Sequence, residues 1–327
     1  MTNTHKTTGR WPLNLYQPDG DDQLSVNKIL PVFESILAEE KIPQDQRFID
    51  ALKFLYIPLS QYLTSKQKDK PLVIGINGSQ GSGKSTLTKI LSAILKHGFN
   101  KKVVSFSIDD LYKSKDQRRE LASKIHPLLE TRGVPGTHDA ELGISILNHL
   151  LTKKLTTLLI PVFDKSIDDR LPESGWNRVN GPCDIVIFEG WCVGSLPQEE
   201  KLLYTPINKL EELEDEHGVW RNYVNKNLKN VYAELFSLIN IQLMLKVPDF
   251  EEVVEWRKLQ EEKLKTSIAN RTDTKNAIMS ESEIERFIMH YERITRHTLD
   301  EMPERSDIVL ELGNDHHVKS VTVRNES

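Results

Sequence analysis

One stretch decides the fold: Gly78-Ser79-Gln80-Gly81-Ser82-Gly83-Lys84-Ser85, which matches the phosphate-binding pattern G-x-x-x-x-G-K-[ST]. The glycines let the backbone curl so that successive N–H groups face an anion, and the positive end of a following helix adds to the attraction. Lys84 can then reach the β- and γ-phosphates, while the Ser85 hydroxyl can bind Mg²⁺. The loop and the adjoining Thr86 are therefore the predicted site for a nucleoside triphosphate.

The sequence on both sides of this loop predicts an alternating α/β architecture. An apolar run at residues 72–76 precedes the loop and an amphipathic pattern at 85–95 follows it, which is the strand–loop–helix context of the motif. Further apolar runs lie at 103–108, 158–163, 185–188, 241–247 and 308–312, and further helical patterns at 140–151, 231–238, 251–264 and 282–295. This alternation predicts a P-loop NTPase fold with a mostly parallel sheet and helices on both faces.

The segment before the loop has a different pattern. Apolar stripes of helical period run from Ile29 to Leu37 and from Phe48 to Leu63, and the charged residues 64–70 are typical of a linker. Residues 1–70 contain no recognisable motif. We therefore expect a helical N-terminal extension over residues 1–70 and one P-loop domain over residues 71–327.

The composition argues against several classes of protein. The chain has 43 basic and 48 acidic residues and a formal net charge of −5, without the basic footprint of a sequence-independent nucleic-acid binder. Cys183 and Cys192 provide no disulfide framework, and the polar N-terminus has no signal-peptide core. No apolar run approaches the roughly 20 residues that span a bilayer. We expect a cytoplasmic protein without nucleic-acid or membrane partners; the oligomeric state stays open.

Acidic side chains follow two of the predicted strands. Asp109 and Asp110 come after the run at 103–108, and Glu189 follows the run at 185–188. The carboxyl ends of parallel strands border the ligand crevice. A carboxylate there can orient an attacking hydroxyl and accept its proton, or it can bind Mg²⁺. Helix capping by Asp109 or Asp110 and a turn position for Glu189 are the alternatives that the sequence leaves open.

Taken together, these elements resemble the phosphoribulokinase/uridine kinase superfamily of small-molecule kinases. The chain is most similar to the plant-type D-glycerate 3-kinases and their fungal and bacterial relatives. The matching stretches are 130–139 (Glu-Thr-Arg-Gly-Val-Pro-Gly-Thr-His-Asp), 161–166 (Pro-Val-Phe-Asp-Lys-Ser), 188–191 (Phe-Glu-Gly-Trp) and 255–261. The resemblance covers the chain from about residue 72 onward. It implies a kinase that uses ATP and Mg²⁺ and closes a helical lid, roughly residues 249–275, over the phosphates.

The resemblance also implies roles for individual residues. Asp109 is the implied general base, and Lys84, Lys165 and Arg257 are the other implied catalytic residues. Ser85, Glu189 and Asp109 match magnesium-binding positions, and His316 matches a histidine that stacks on adenine. The implied acceptor-binding residues are Asp109, Tyr112, Arg132, His138, Asp139, Asp164, Lys165 and Arg170.

The expected acceptor is a small hydroxy acid, with D-glycerate first. Its carboxylate requires cations, and Arg132, Lys165 and Arg170 are the candidates, each with a plain surface position as the alternative. Many relatives carry Gly-Arg-Gly-Asp-Arg after the Asp-Lys-Ser element, whereas this chain reads Ile167-Asp168-Asp169-Arg170. If that run helps to bind the acceptor, the acceptor of this chain can differ.

Other functions remain alternatives. Pantothenate or a nucleoside can replace glycerate as the acceptor, and a P-loop ATPase or a regulatory pseudo-kinase is the alternative from another class. A guanine-specific switch is disfavoured, because the nearest string, Asn208-Lys209-Leu210-Glu211, lies in a charged helical insert and does not follow a strand. We interpret the acidic residues 211–216 as a solvated helix face, with a docking surface as the alternative.

Overall fold

The computed structural model describes residues 5–7, 22–152, 157–268 and 280–324. The strands are β1 His5–Thr7, β2 Leu72–Gly78, β3 Val103–Ser107, β4 Thr157–Ile160, β5 Phe163–Asp164, β6 Asp169–Arg170, β7 Asn177–Asn180, β8 Ile185–Gly190, β9 Ile241–Lys246, β10 Ile308–Leu312 and β11 Val318–Val323. Within the described residues, seven of these form the central sheet in the order β1-β11-β10-β9-β2-β8-β3. The five from β10 to β3 are parallel, and β11 and β1 extend one edge in antiparallel fashion.

Helices cover both faces of this sheet. They are α1 Asp22–Glu39, α2 Gln46–Ala51, α3 Ile57–Lys66, α4 Lys84–His97, α5 Lys115–Lys124, α6 Ala140–Leu150, α7 Lys209–Glu214, α8 Val219–Asn227, α9 Ala233–Ser237, α10 Phe250–Ile268 and α11 Glu281–Arg305. One π-helical turn, Leu52–Tyr56, joins α2 to α3, and another, Leu228–Tyr232, joins α8 to α9. Among the described residues, no helix combines the length and apolar character needed to cross a bilayer.

The core lies in two layers, one on each face of the sheet. Every residue of β2 is buried, because its alternate side chains pack into different layers. Ile74 belongs to the layer that includes α4, α10 and β10, whereas Val73 belongs to the layer that includes α6, α8 and β8. This arrangement confirms the predicted α/β class with a mostly parallel sheet. It also brings the ends of β2, β3 and β8 to one edge, where the loop and the acidic residues lie.

The N-terminal helices pack directly on the helix that follows the phosphate loop. Ile29, Phe33 and Leu37 of α1 form a buried cluster that includes Ile90 and Ile94 of α4. The amphipathic stripe seen in the sequence therefore faces the P-loop helix. Burial of such a stripe is the main source of stability for a surface helix.

Two expectations about the fold need correction. The apolar run at 158–163 does not join the central sheet: β4 pairs antiparallel with β7, and β5 pairs with β6. Its first two residues are half-buried, whereas Ile160, Pro161 and Phe163 are buried. The run leads into the loop that carries Asp164 and Lys165. Strand β11 was also not predicted, because the adjacent polar residues Lys319 and Ser320 interrupt the apolar–polar alternation of its side chains.

The acidic stretch 211–216 is also not a uniformly solvated helix face. Glu211 is fully buried and its carboxylate lies 2.5 Å from the guanidinium of Arg293. Asp215 is buried as well, 3.0 Å from Arg221. Burying a carboxylate is costly unless a cation and hydrogen bonds compensate it, and here arginines supply both. These two acids fasten the insert to the core and are not available to a docking partner.

Candidate active site

The phosphate loop lies between β2 and the first residue of α4. Gly81 and Gly83 have φ values of 81° and 85°, in the left-handed region that favours glycine. The hydroxyls of Ser79 and Ser82 are buried and have no hydrogen-bond partner in the described part of the chain. Lys84 begins the helix, so its ammonium group and the helix N-terminus share the loop's concave side. This is an anion site of the predicted kind.

Of the two adjacent aspartates, Asp109 lines the cavity beside the loop and Asp110 does not. Asp110 Oδ2 accepts a hydrogen bond from Ser107 N at 3.0 Å and completes a capping box on the turn Ile108–Leu111. Burial is the main reason that the pKa of Asp110 is raised to about 6. The capping alternative is therefore correct for Asp110, and Asp109 is the carboxylate that can meet a substrate.

Asp109 is held ionised by neighbouring ammonium groups. Burial alone would raise its pKa, but Lys165 and Lys84 outweigh that effect and lower the pKa to about 2. Lys165 Nζ lies 2.7 Å from Asp109 Oδ2. The same contact, which opposes the effect of desolvation, raises the pKa of Lys165. The two residues form an ion pair in the wall of the cavity, next to the phosphate loop.

Ser85 and Glu189 meet at the ends of α4 and β8. Ser85 Oγ donates a hydrogen bond of 2.8 Å to Glu189 Oε1. Glu189 Oε2 is buried without a hydrogen-bond partner among the described residues, and burial raises the pKa of this carboxyl. A hydroxyl beside a carboxylate with one unpartnered oxygen fits Mg²⁺, which prefers oxygen ligands and usually takes only one or two carboxylates plus phosphates and water. No cluster of three or more His, Cys, Asp or Glu side chains suited to a metal occurs in the described residues.

A cavity of about 310 Å³ opens between the phosphate loop and α11. It is lined by Gln80, Gly81, Lys84, Ser85, Asp109, Tyr112, Arg132, Lys165, Trp191, Arg257, Phe287 and Tyr291. Four of these side chains are cationic and one is a carboxylate. Arg257 comes from α10, where it pairs with Glu261 at 2.8 Å and lies over the ring of Phe287. The cavity therefore joins the phosphate-binding end to an aromatic-walled, positively charged end.

Four predicted acceptor-binding residues lie outside this lining. His138 stacks on the buried face of Tyr112 at 4.4 Å and shares a 2.6 Å hydrogen bond with the hydroxyl of Tyr232. Burial lowers its pKa to about 3, so it is neutral at physiological pH. Asp139 caps α6 by accepting from Leu142 N, and Arg170 donates to the carbonyls of Leu111 and Tyr112. Asp164 accepts from Ser166 at the tip of its loop. These residues support the cavity wall and do not line the cavity.

A second cavity, of about 440 Å³, adjoins the other side of the phosphate loop. Gly81, Gly83 and Thr86 line it together with Trp256 and His316. His316 stacks on Trp256 at 3.9 Å with a 26° interplanar angle. The predicted adenine-stacking residue is therefore next to the loop, on an aromatic surface that suits a nucleotide base.

The extension supplies part of this second cavity, which the sequence did not indicate. Residues 40–43, Asp45, Arg47 and Phe48 belong to its lining. Phe48 contacts the ring of His317 at 4.8 Å, and Arg47 lies 3.3 Å from Asp315. No motif marks these residues, which lie in the connection after α1 and in the first turn of α2 and meet residues 315–317 only in the folded chain.

Comparisons with known proteins agree with this geometry. The model of the KAP family P-loop domain matches residues 56–169. The uncharacterized kinase Mug58 of Schizosaccharomyces pombe is 34% identical over 239 residues, which are 69% of this chain and 80% of that protein. The chain belongs to the P-loop kinases. It is accordingly an ATP-dependent kinase of small molecules.

Other relatives of this kinase are named for particular substrates. The chloroplastic D-glycerate 3-kinase of Arabidopsis thaliana is 33% identical over 269 residues, 76% of this chain and 54% of that protein, so the kinase spans about half the length of the plant enzyme. A pantothenate kinase of Streptococcus gordonii is 28% identical over 190 residues, 57% of this chain and 56% of that protein. The solved structure of D-glycerate 3-kinase from Cryptococcus neoformans superposes with a TM-score of 0.63 at 24% identity, covering 94% of this chain and all of that one, which supports the fold.

The sequence did not single out several aromatic residues in the wall of the first cavity. Trp191, Phe287 and Tyr291 line the cavity, and the Tyr291 hydroxyl donates to the carbonyl of Arg132 at 3.2 Å. Phe287 and Tyr291 lie four residues apart on α11, on the stripe that faces the core. A core stripe and a cavity wall have the same spacing in a helix, so periodicity could not distinguish them.

Proposed function

We propose that this kinase transfers the γ-phosphoryl group of ATP to a hydroxyl of D-glycerate and forms 3-phosphoglycerate. The observation that carries the proposal is the charge of the acceptor cavity. Four cationic side chains, those of Lys84, Arg132, Lys165 and Arg257, line this cavity. Three of them pair with Asp168, Asp109 and Glu261 (Arg132, Lys165 and Arg257 respectively), so their guanidinium and ammonium groups are held in place at the cavity wall. Several cations on one cavity suit two anions at once, a polyphosphate at the loop end and a carboxylate at the other end.

Asp109 is the proposed base. In the reaction, the acceptor hydroxyl oxygen bonds to the γ-phosphorus, the bond from that phosphorus to the β,γ-bridging oxygen breaks, and the hydroxyl proton passes to Asp109. A carboxylate with a pKa of about 2 is a weak proton acceptor. It is sufficient here because phosphoryl transfer passes through a loose transition state, in which orientation of the hydroxyl matters most. If Lys165 turns from Asp109 toward the transferring group, the basicity of Asp109 rises as charge develops.

Ser85, Glu189 and Asp109 are the proposed ligands of Mg²⁺. When bound, the ion neutralises charge on the β- and γ-phosphates. The support from this chain is the Glu189 oxygen that is buried without a partner next to the Ser85 hydroxyl. Lys84 and Arg257 are the proposed cations for the transferred group. Arg257 lies on α10, which forms most of the proposed lid at 249–275; residues 269–275 of that lid lie outside the described residues.

Pantothenate is a second candidate acceptor. It also carries a carboxylate and a hydroxyl, but it is longer and less polar than glycerate. Tyr112, Trp191, Phe287 and Tyr291 in the cavity wall favour an acceptor with apolar groups. The pantothenate kinase relatives support the same possibility. Pantothenate therefore belongs in the first substrate panel beside glycerate.

An ADP-release assay over an acceptor panel tests the proposal. The panel contains D-glycerate, L-glycerate, glycerol, pantothenate and uridine, each with ATP and Mg²⁺. We expect the highest kcat/KM with D-glycerate and expect ³¹P NMR to identify 3-phosphoglycerate as the product. A higher kcat/KM with pantothenate or uridine would reassign the acceptor. Turnover that is equally fast without any acceptor would refute the proposal and indicate an ATPase.

We also propose that residues 71–327 form the kinase domain and residues 1–70 an extension to it, in a cytoplasmic protein. The extension packs on α4 and reaches the second cavity through residues 40–48. Cys183 and Cys192 are buried and unpaired, as suits a reducing compartment. Expression of residues 71–327 alone tests the boundary: a folded protein with weakened ATP binding is expected, and an unfolded one would contradict it.

A further inference from the structure

Arg132 reaches the acceptor end of the cavity from a loop, and its position needs an explanation. A long arginine side chain on a loop has many rotamers, and fixing it costs conformational entropy. Three contacts fix it here. Its guanidinium contacts Asp168 directly, its Cζ lies 5.5 Å from the centre of the Phe163 ring, and its carbonyl accepts from Tyr291.

Asp168 is itself held firmly by a second arginine. Arg118 is completely buried and donates to both the carbonyl and the carboxylate of Asp168, at 3.0 and 2.7 Å. Its other hydrogen bonds go to the carbonyls of Lys113 and Glu130. These hydrogen bonds fix Arg118 in the wall of the cavity, and Arg118 in turn holds Asp168 in place.

Arg132 keeps hydrogen-bond donors that a ligand can use. Arg118 and Arg132 share the carboxylate of Asp168, and the carboxylate of Asp169 also acts on Arg118. Arg118 is buried with its donors engaged, whereas the side chain of Arg132 keeps about a quarter of its surface exposed and lines the cavity. Within the described residues, the Asp168 contact is the only side-chain hydrogen bond that Arg132 donates. The remaining donors of Arg132 can therefore bind an acceptor carboxylate.

The backbone at Asp168 is also specialised. Its φ is +55°, a left-handed conformation that is uncommon for a residue other than glycine and in which Asn and Asp are the best tolerated side chains. The residue lies in the segment Ile167-Asp168-Asp169-Arg170, between the short strands β5 and β6. A strained residue that joins two arginines beside a substrate cavity is a candidate for a functional position.

We propose that Asp168 is a positioning residue that sets Arg132 for the carboxylate of the acceptor and so determines the preference of this kinase for acidic acceptors. The inference rests on the proposed function, since it assumes an acceptor with a carboxylate. Asp168 does not touch the reacting atoms. It acts through Arg132, and Arg118 holds it in place.

The test compares Asp168→Asn with Asp169→Asn by initial-rate kinetics of the full chain. Asparagine keeps the left-handed backbone accessible and removes the charge. Asp169 is the matched control, because it accepts hydrogen bonds from the backbone N–H groups of Lys115 and Arg170 and does not contact Arg132. We expect Asp168→Asn to raise the KM for D-glycerate about tenfold or more and to change the KM for ATP less than about twofold. The control should change neither value by more than about twofold.

A double-mutant cycle separates positioning from a general structural effect. In the background of Arg132→Ala, the Asp168→Asn change should alter the KM for D-glycerate by less than about twofold. An equal rise in both backgrounds would overturn the proposal. A fall in KM in the wild-type background would also overturn it, because Asp168 would then compete with the acceptor for Arg132. If Asp168→Asn does not fold, Asp168→Glu replaces it in the same cycle. Glutamate keeps a negative charge beside Arg118, and the expected rise in the KM for D-glycerate is smaller.

The wild-type enzyme distinguishes failure of this inference from failure of the proposed function. If it uses D-glycerate but the cycle shows no coupling, only the role of Asp168 is refuted. If it prefers glycerol to D-glycerate, the acidic acceptor itself is refuted, and with it both proposals.

Discussion

Two glycines of the phosphate loop allow a controlled test of how the loop contacts the lid helix. Gly81 and Gly83 have nearly the same φ, 81° and 85°. A Cβ at residue 83 would meet no atom within 4 Å, whereas a Cβ at residue 81 would lie 2.9 Å from the Cβ of Trp256 on α10. Gly81→Ala and Gly83→Ala therefore have the same cost in backbone strain, and they differ in one contact, that with Trp256.

The expected magnitudes follow from these distances. A left-handed conformation costs a non-glycine residue about 1–2 kcal/mol, so Gly83→Ala should lower the free energy of unfolding by about that amount. Carbon atoms in contact are normally about 3.5 Å apart or more, so Gly81→Ala creates an overlap of about 0.6 Å with a buried residue. Overpacking of this kind typically costs a further ~1–3 kcal/mol. Gly81→Ala should therefore be the more destabilising variant by that difference.

The assay is urea unfolding of the nucleotide-free protein, since both substitutions also disturb phosphate binding. The free energy of unfolding and the slope against urea are measured for both variants and for the wild type. Equal losses of stability would refute the reasoning, because they would show that α10 does not rest on the loop at Trp256. A change in slope would indicate a change in the unfolded state and would disqualify the comparison.

Three further predictions concern the chemistry of the site. Asp109→Asn should lower kcat/KM by about 10²–10⁴-fold and leave ATP affinity within about threefold by calorimetry, and activity that survives would rule out Asp109 as the base. Lys165→Met removes an ammonium group that counteracts the effect of burial, so the pKa of Asp109 should rise from about 2 and the fall of kcat/KM at acid pH should begin at a higher pH. Lys165→Arg keeps the positive charge and should leave the acid side of the kcat/KM profile where it is. An acid side that moves in neither variant would contradict the role of Lys165 in lowering the pKa of Asp109. Glu189→Gln should raise the Mg²⁺ concentration that gives half-maximal activity by about tenfold or more, whereas an unchanged requirement would place the ion elsewhere.

The low pKa of Asp109 also predicts how stability depends on pH. Its pKa in the folded protein lies below the ordinary value of 3.8. The stabilisation that it contributes is therefore complete above about pH 4 and is lost as the pH falls toward 2. Lys165→Met should reduce this loss, which acid titration followed by circular dichroism would measure.

The sequence predicted the parts of this kinase that depend on local pattern. The loop, the strands before it and after it, and the acidic ends of β3 and β8 all have short-range signals. The resemblance implied Asp109 as the base, but the residue pattern alone could not separate it from Asp110, because only the short turn Ile108–Leu111 directs one carboxylate to the cavity and the other to a cap. Arg132 and Arg170 looked equivalent in the sequence, yet only Arg132 lines the cavity, since Arg170 donates to backbone carbonyls.

Other parts of the site depend on contacts between distant segments. In the sequence, Arg118 is one of several charged residues on a helix. Only the folded structure shows that it is buried and paired with Asp168. Residues 40–48 carry no motif, yet they reach the cavity beside the phosphate loop. Such residues are recognised by their neighbours in space, which a single sequence does not contain.

The contact of Arg47 with Asp315 has a consequence for how the protein is made. These residues are 268 positions apart, and together with Phe48 and His317 they close one side of the cavity beside the phosphate loop. During synthesis, the phosphate loop emerges from the ribosome long before the second half of this enclosure exists. The enclosure beside the phosphate loop is therefore complete only after Asp315 and His317 have been synthesised and have met Arg47 and Phe48.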